Sequence, residues 1–182
     1  PLRIDANQGW KPSDALGILQ SLAPYGIQHC EEPISRREYL ELPRIRRESP
    51  IPIMADESCF DASDAARLIE LKACDLINIK LGKSGIFQAM NIMGRCEAAG
   101  MKMQVGGFLE SRLGFTAAAH VALCSDNIQY IDFDTPLMFS EDPVKGGIVY
   151  SKGGVITVPD ALGIGAEMEN KFLERLEKFA TN

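Results

Sequence analysis

Histidine is scarce in this sequence, and its cysteines form no paired motif. Only two of the 182 residues are His, and the five Cys are scattered without any C-x-x-C spacing. Reduced thiols are the simplest interpretation, and a metal–thiolate site is not expected. A P-loop is not expected either, because the segment 80–84 (KLGKS) would need a glycine at position 77, where the chain has Ile77.

Long apolar runs and an excess of basic charge are also missing. No run approaches the roughly 18 apolar residues that a membrane helix needs, and no leader pattern opens the chain. The formal net charge is −6, which argues against nucleic acid or an anionic membrane as a partner. We therefore expect a cytoplasmic protein.

Apolar runs recur instead at a nearly constant interval, and they predict buried parallel strands. Four of these runs end in a charged residue, at Asp5, Glu31, Asp56 and Lys80. The steps between them are 26, 25 and 24 residues, which is the length of one strand, one helix and two short loops. The predicted strands are 2–5, 27–31, 51–56, 75–80, 102–106 and 128–134.

Helical patterns lie between these strands. We predict helices over 13–22, over an Arg/Glu-rich stretch kinked at Pro43, and over 63–72, 85–99 and 112–124, with Ile86, Met90, Ile92 and Met93 buried in the fourth. From Leu137 the pattern changes to a hairpin of 146–150 with 154–158, followed by a helix over 166–179.

Six βα repeats indicate an α/β fold, a partial (β/α)₈ barrel with a C-terminal hairpin and helix extension. A closed barrel needs about eight such units, and Pro1 leads directly into a strand, so we expect a fragment of a longer protein. The competing fold is an open, doubly wound sheet. In either fold the carboxyl ends of parallel strands meet at one edge, where a site is expected.

Three carboxylates at neighbouring strand ends make a hard oxygen site. Such a site suits Mg²⁺ or Mn²⁺, and without a counter-charge the acids would raise one another's pKa. Lys80 alone could supply that counter-charge, which leaves an internal salt-bridge network as the structural alternative. His29, two residues before Glu31, is interpreted as a packed core histidine and not as a ligand.

Four short motifs at these strand ends resemble the enolase superfamily, in particular its muconate-lactonizing subgroup. They are Asp5-x-Asn7, Glu31-Glu32-Pro33, 54–58 (MADES) and Asp75-x-x-Asn78-x-Lys80. The resemblance covers nearly the whole chain. It implies that residues 1–136 are barrel strands 3 to 8 of a catalytic domain, that 137–182 are an extension, and that the capping domain and first strands are absent.

The resemblance also implies roles for individual residues. Asp5, Glu31 and Asp56 become the Mg²⁺ ligands, with Mn²⁺ as a possible substitute. Lys80 becomes one of two acid/base lysines, and burial beside the cation is expected to lower its pKa. The second lysine belongs to a Lys-x-Lys motif on an earlier strand that this chain lacks, so we expect the fragment alone to be inactive. Asn7 would orient the substrate carboxylate, since on an extended backbone it shares a face with Asp5.

The segment Ile131-Asp132-Phe133-Asp134 indicates which substrate class to expect. Asp132 and Asp134 are two apart on the last predicted strand, so both should face the barrel mouth; the structural alternative is a pair of turn-forming acids before Pro136. Within this fold the pair resembles the acidic pair of dipeptide epimerases of the Ala-Glu type. In those enzymes the pair accepts the ammonium group of the substrate. Glu110 is a further candidate for substrate binding, or a neighbour of a helix cap.

The resulting hypothesis is a Mg²⁺-dependent isomerase that epimerises small dipeptides. It removes the α-proton next to a carboxylate through an enediolate, and we expect the full-length protein to be a homo-oligomer. The alternatives are an N-acylamino acid racemase or o-succinylbenzoate synthase of the same subgroup, or a non-catalytic metal-binding barrel fragment.

Overall fold

A computed structural model describes residues 1–176 of the chain. Six parallel strands form one sheet, and their order across the sheet is their order along the chain. This sequential order is that of a segment of a (β/α)₈ barrel, so the predicted fold class is confirmed, whereas the strand order of a doubly wound sheet reverses partway. The strands are β1 (Leu2–Asp5), β2 (Ile27–Glu31), β3 (Ile53–Ala55), β4 (Leu76–Lys80), β5 (Lys102–Gly106) and β6 (Ile128–Ile131).

Helices connect successive strands of the sheet. They are α1 (Pro12–Leu22), α2 (Leu42–Glu48), α3 (Ala62–Glu70), α4 (Leu81–Ala98) and α5 (Arg112–Ala122). Apolar side chains of strands and helices meet in one core, in which Leu19, Leu68, Ile77, Ile92 and Phe115 are all buried. No helix within residues 1–176 is both long enough and apolar enough to cross a membrane.

Local signals explain where α3 begins and where α4 ends. The Asp61 carboxylate caps α3, since it accepts the backbone N–H groups of Ser63 and Asp64 at 2.8 and 2.9 Å. After α4 the chain turns at Gly100, whose φ of 64° favours glycine.

Two details of the predicted helices are wrong. Pro43 lies in the first turn of α2, where its missing N–H is tolerated, and a separate 3₁₀ helix (Arg36–Glu41) precedes it. Ile86 and Met90 are 51% and 43% exposed. The buried stripe of α4 runs instead through Ala89, Ile92, Met93 and Cys96, and Met90 lies to one side of it.

The chain after β6 packs against α5 in short antiparallel pairs. The predicted hairpin is present as β8 (Val149–Tyr150) and β9 (Ile156–Thr157). Strand β7 (Val144–Gly146) pairs with β10 (Ala166–Met168), and the Arg112 guanidinium holds this region by binding Asp142 and the carbonyls of Val144, Gly146 and Ile148.

The predicted start of the terminal helix at 166 is therefore wrong, because residues 166–168 make backbone hydrogen bonds to β7. The helix itself, α6, covers Asn170–Arg175. Positions 177–179 of the predicted helix lie outside the described residues. The division of the chain at residue 136 stays a prediction.

Candidate active site

Strand register brings the charged strand ends to one edge of the sheet. Asp5 is paired directly with Glu31 across β1 and β2. Glu31 is paired on its other side with Met54, two residues before Asp56. Lys80 ends β4 opposite Gly106 of β5. The three acids and the lysine are therefore neighbours at the carboxyl edge, because Asp5, Glu31 and Lys80 end strands of the same parallel sheet and Asp56 directly follows β3.

Asp56 is buried and faces two lysines. Its side chain is 1% exposed, and the ammonium of Lys80 forms an ion pair with Oδ2. Lys83 Nζ lies 2.5 Å from Oδ1. Sequence reasoning missed the role of Lys83, which it considered only as part of an incomplete P-loop. The available signal was its position in the turn that directly follows Lys80.

The carboxylate of Glu31 receives one amide donor on each oxygen. Asn78 Nδ2 donates to Oε1 at 2.6 Å, and Gln104 Nε2 donates to Oε2 at 3.3 Å. Burial raises the pKa of Glu31 to about 8; the Asn78 hydrogen bond opposes this rise, while the charges of Asp56 and Asp5 add to it. Negative charge at this edge is therefore incompletely balanced by the protein.

Asp5 lies at the wall of a cavity of about 230 Å³ inside the curled sheet. Burial raises the pKa of Asp5, although the backbone N–H of Asn7, which donates to Oδ1 at 2.8 Å, opposes the shift. The cavity is lined by Arg3, Ile4, Asp5, His29, Glu31, Gln104, Ile131 and Asp132.

Asn7 does not extend the strand of Asp5, so the predicted shared face is wrong. Its φ is 45°, in the left-handed region, because the chain turns immediately after β1. Asn7 is exposed, and its contribution to Asp5 comes from the backbone.

Asp132 and Asp134 are placed differently from each other. Strand β6 ends at Ile131, so the expectation that both acids lie on one strand is wrong. Asp132 lines the cavity, whereas Asp134 is not among the cavity-lining residues and precedes a 3₁₀ helix (Thr135–Met138). Burial raises the pKa of Asp132, and the charge of Asp134 adds to that shift.

Glu110 shapes the loop before α5. Its Oε1 accepts the Phe108 N–H at 3.1 Å, and its own N–H donates to Thr135 Oγ1 at 3.2 Å. Lys80 has no contact with Glu110 among the hydrogen bonds and ion pairs of residues 1–176; its ammonium lies 5.2 Å from the centre of the Phe108 ring. Glu110 thus lies near the start of α5, and its role in substrate binding stays a prediction.

Glu32 is a buried structural acid. It is 1% exposed and accepts the N–H groups of Asp56 and Ser58 at 2.6 and 3.2 Å, together with the Ser58 hydroxyl. Burial raises the pKa of Glu32, and these hydrogen bonds oppose the shift. Glu32 therefore fixes the loop that carries Asp56.

His29 is packed inside the sheet. It is 1% exposed and its ring lies 4.9 Å from that of Tyr130, centre to centre. Burial lowers the pKa of His29 to about 4, and the charge of Arg3 adds to the effect. The imidazole is therefore neutral near pH 7.

The strand-end carboxylates have the donor atoms of a hard-cation site but not its spacing. Within residues 1–176, no three Asp, Glu, His or Cys side chains are spaced to hold a metal ion as they stand. Both oxygens of Asp56 face lysine ammonium groups. The donor types nevertheless fit, because carboxylates suit Mg²⁺ and Asp5 and Glu31 line one cavity with excess negative charge.

The expected lowering of the Lys80 pKa refers to a site with a bound cation and stays a prediction; without a cation, the surrounding carboxylates determine the shift. Burial opposes the charged form, but the Asp56 carboxylate outweighs it, and Glu31 and Glu57 add to the effect. The pKa of Lys80 is therefore raised, not lowered, while its ammonium is paired with Asp56.

The chain is similar in sequence to known proteins over its whole length. The family model described as "Enolase C-terminal domain-like" matches residues 1–172. A D-Ala-D/L-Ala epimerase from Cytophaga hutchinsonii is 60% identical over 182 residues, covering 100% of this chain and 50% of that protein. An L-Ala-D/L-Glu epimerase from Bacillus subtilis is 42% identical over 167 residues, covering 90% of this chain and 45% of that protein.

A solved structure is equally similar. The dipeptide epimerase from Cytophaga hutchinsonii, complexed with Mg and the dipeptide D-Ala-L-Val, superimposes with a TM-score of 0.95 at 60% identity. The match covers 97% of this chain and 48% of that one. The chain thus spans about half the length of the relatives it matches.

Proposed function

Because the chain belongs to the enolase C-terminal domain-like family, we propose that it supplies the metal ligands and one acid/base lysine of a Mg²⁺-dependent dipeptide epimerase. The observation that carries the proposal is the ion pair of Lys80 with Asp56 at the strand edge, beside Glu31 and Asp5. The relative that is 60% identical was solved with Mg and a dipeptide, which supports the same ligands for this chain.

In this proposal Asp5, Glu31 and Asp56 hold the cation. A bound Mg²⁺ places positive charge next to the substrate carboxylate, which favours loss of the neighbouring α-proton. Mn²⁺ prefers the same oxygen ligands and is expected to substitute.

Lys80 removes the α-proton from one face of the substrate or returns it. While it is paired with Asp56, its pKa is raised and it is a poor base. With Asp56 engaged by a cation, Lys80 would be without this ion pair, and burial would then favour its neutral amine. The second acid/base group acts from the other face, and we propose that it belongs to the upstream half that the relatives possess.

The acids after β6 favour a dipeptide over an N-acylated or dicarboxylate substrate. Asp132 faces the cavity, and Asp134 is close enough to raise its pKa. A substrate ammonium would relieve that repulsion, whereas a further carboxylate would increase it. This is why the dipeptide is preferred here over the substrates of an N-acylamino acid racemase or o-succinylbenzoate synthase.

Isotope exchange tests the proposed reaction. The intact protein is incubated in D₂O with Mg²⁺ and a panel of dipeptides that includes L-Ala-L-Glu and D-Ala-L-Ala, and α-deuteration is followed by NMR. We expect exchange with at least one dipeptide, and its loss in Lys80→Ala. Absence of exchange with every dipeptide would favour a non-catalytic metal-binding fragment.

The acidic pair has its own test. Asp132→Asn combined with Asp134→Asn should abolish dipeptide turnover and spare N-acylamino acids. Asp126→Asn, the same change in the loop that precedes β6, is the matched control and should have no effect. Equal loss on both substrate classes would contradict the role proposed for the pair. The homo-oligomeric state and cytoplasmic location stay predictions.

A further inference from the structure

Lys83 is a buried cation to which the proposed reaction gives no role. Its side chain is 1% exposed. Nζ donates to Asp56 Oδ1 at 2.5 Å, to the Asp56 carbonyl at 2.6 Å and to the Asn78 carbonyl at 2.9 Å. A lysine ammonium has three N–H donors, so all of its protons are bound by the protein. In this arrangement Lys83 has no proton to exchange with a substrate.

Lys80 differs from Lys83 in each of these respects. It is paired with the other oxygen of Asp56, its side chain is 11% exposed, and within residues 1–176 Asp56 is its one ion-pair partner. Lys80 therefore has fewer buried contacts to lose than Lys83 when it leaves Asp56. Release of Lys83 would leave its own ammonium and Asp56 Oδ1 buried without partners, which is strongly unfavourable.

The backbone around Lys83 is shaped for this contact. Residues 81–84 make a single turn after Lys80, and Gly85, with φ 65° and ψ 174°, interrupts the helix directly after it. The turn thereby directs Lys83 back toward the loop after β3. The Lys83 ammonium also lies 5.9 Å from the centre of the Phe60 ring on that loop.

Asp56 is consequently fixed from three directions. Glu32 accepts its backbone N–H at 2.6 Å, and Lys83 binds both its carbonyl and Oδ1. The remaining oxygen, Oδ2, is the one that faces Lys80. A change of partner at Oδ2 leaves the contacts with Glu32 and Lys83 in place.

We propose that Lys83 is a positioning residue that holds Asp56 by Oδ1 and so presents Oδ2 to the cation, while Lys80 competes with the cation for Oδ2. The inference rests on the proposed function, because it assumes that Asp56 is a metal ligand. It predicts that the two lysines have opposite effects on cation affinity. Simple charge repulsion predicts instead that removal of either lysine tightens binding, since each carries a positive charge next to the site.

The test is a Mn²⁺ titration of the intact protein, followed by the EPR signal of free Mn²⁺. We expect Lys83→Met to raise the Kd for Mn²⁺ by at least about tenfold, as for other groups that orient metal ligands. Lys83→Arg should restore most of the affinity, because it keeps the charge and the donors. Lys80→Met should bind Mn²⁺ as tightly as the wild type or more tightly, while α-proton exchange is lost.

Controls separate this inference from the proposed function. Lys102→Met makes the same change at the opposite edge of the sheet and should leave the Kd unchanged. A folded Lys83→Met protein that binds Mn²⁺ as tightly as the wild type would overturn the role of Lys83 alone. If Lys83→Met does not fold, Lys83→Gln takes its place with the same two outcomes. A wild-type protein that does not bind Mn²⁺ would contradict the proposed function itself.

Discussion

Asn78 Nδ2 donates a hydrogen bond to Glu31 Oε1 across 2.6 Å, from the middle of β4 to the end of β2. The bond passes over the intervening strand and sets the orientation of a proposed metal ligand. Asn78→Leu removes the donor at similar volume, so we expect the Kd for Mn²⁺ to rise by about 10- to 100-fold. Gln104→Leu should have a smaller effect, because its bond to Glu31 is 3.3 Å long. Equal affinity in Asn78→Leu and wild type would contradict this role.

The pKa of Glu31 predicts how stability depends on pH without metal. The folded-state pKa of about 8 is above the ordinary value of 4.5, so between these values the folded state binds more protons than the unfolded state. Stability therefore falls as pH rises, by up to about 1.4 kcal/mol per pH unit. Thermal melts of the metal-free protein between pH 6.5 and 8 should show a falling Tm. His29, whose ordinary pKa of 6.5 is lowered by folding, opposes the fall near pH 6.5 and progressively less above it.

The matched variant for this pH effect is Glu31→Gln, which removes the titration. Its Tm should depend less on pH than that of the wild type over the same range. The shifts of Asp5, Glu32 and Glu57 have the same sign and leave a residual slope. A Tm that rises with pH in the wild type would contradict the assignment.

Glu32 is predicted to be important for stability. Glu32→Leu removes the oxygen that accepts the N–H groups of Asp56 and Ser58. Leaving buried donors unpaired costs about 1 to 3 kcal/mol, and urea denaturation should detect a loss of this size. Glu41→Leu makes the same change at an exposed ion pair with Arg44 and should cost less than about 1 kcal/mol. Equal stability of the two variants would contradict the structural role of Glu32.

Two glycines of α4 should respond oppositely to the same substitution. Gly85 has φ 65°, so Gly85→Ala forces a strained backbone and should cost about 1 to 3 kcal/mol. Gly94 lies in the regular part of the helix with open space around it, so Gly94→Ala should stabilise by about 0.5 to 1 kcal/mol. Denaturation midpoints check both values, and a stabilising Gly85→Ala would show that the turn before Gly85 does not require its conformation.

The strand-end acids could be predicted from the sequence because their signal is local. Each acid directly follows an apolar run, and parallel strands of constant period bring such ends together. Asp5, Glu31 and Lys80 therefore end their strands in the structure where the pattern predicts, and Asp56 directly follows its strand.

The buried contacts of Glu32 and Lys83 could not be predicted in this way. Their partners lie 24 to 27 residues away, and nothing in a charged residue's own neighbourhood shows whether it will be covered. Asn7 and Asp134 were misplaced for another reason: the strand period was extended beyond residues at which the chain already turns. Residues 166–168 follow a helical pattern but pair with β7, because a tertiary partner outweighs local propensity.

The sheet ends at β1 on one side and at β6 on the other, and within residues 1–176 each of these strands has a single neighbour. Leu2 and Ile131 on them are 53% and 37% exposed. Unpaired edge strands of this kind can pair with strands of other polypeptides. A recombinant product confined to this stretch should therefore self-associate as its concentration rises, and biochemical work should begin with a longer product in which both borders are covered.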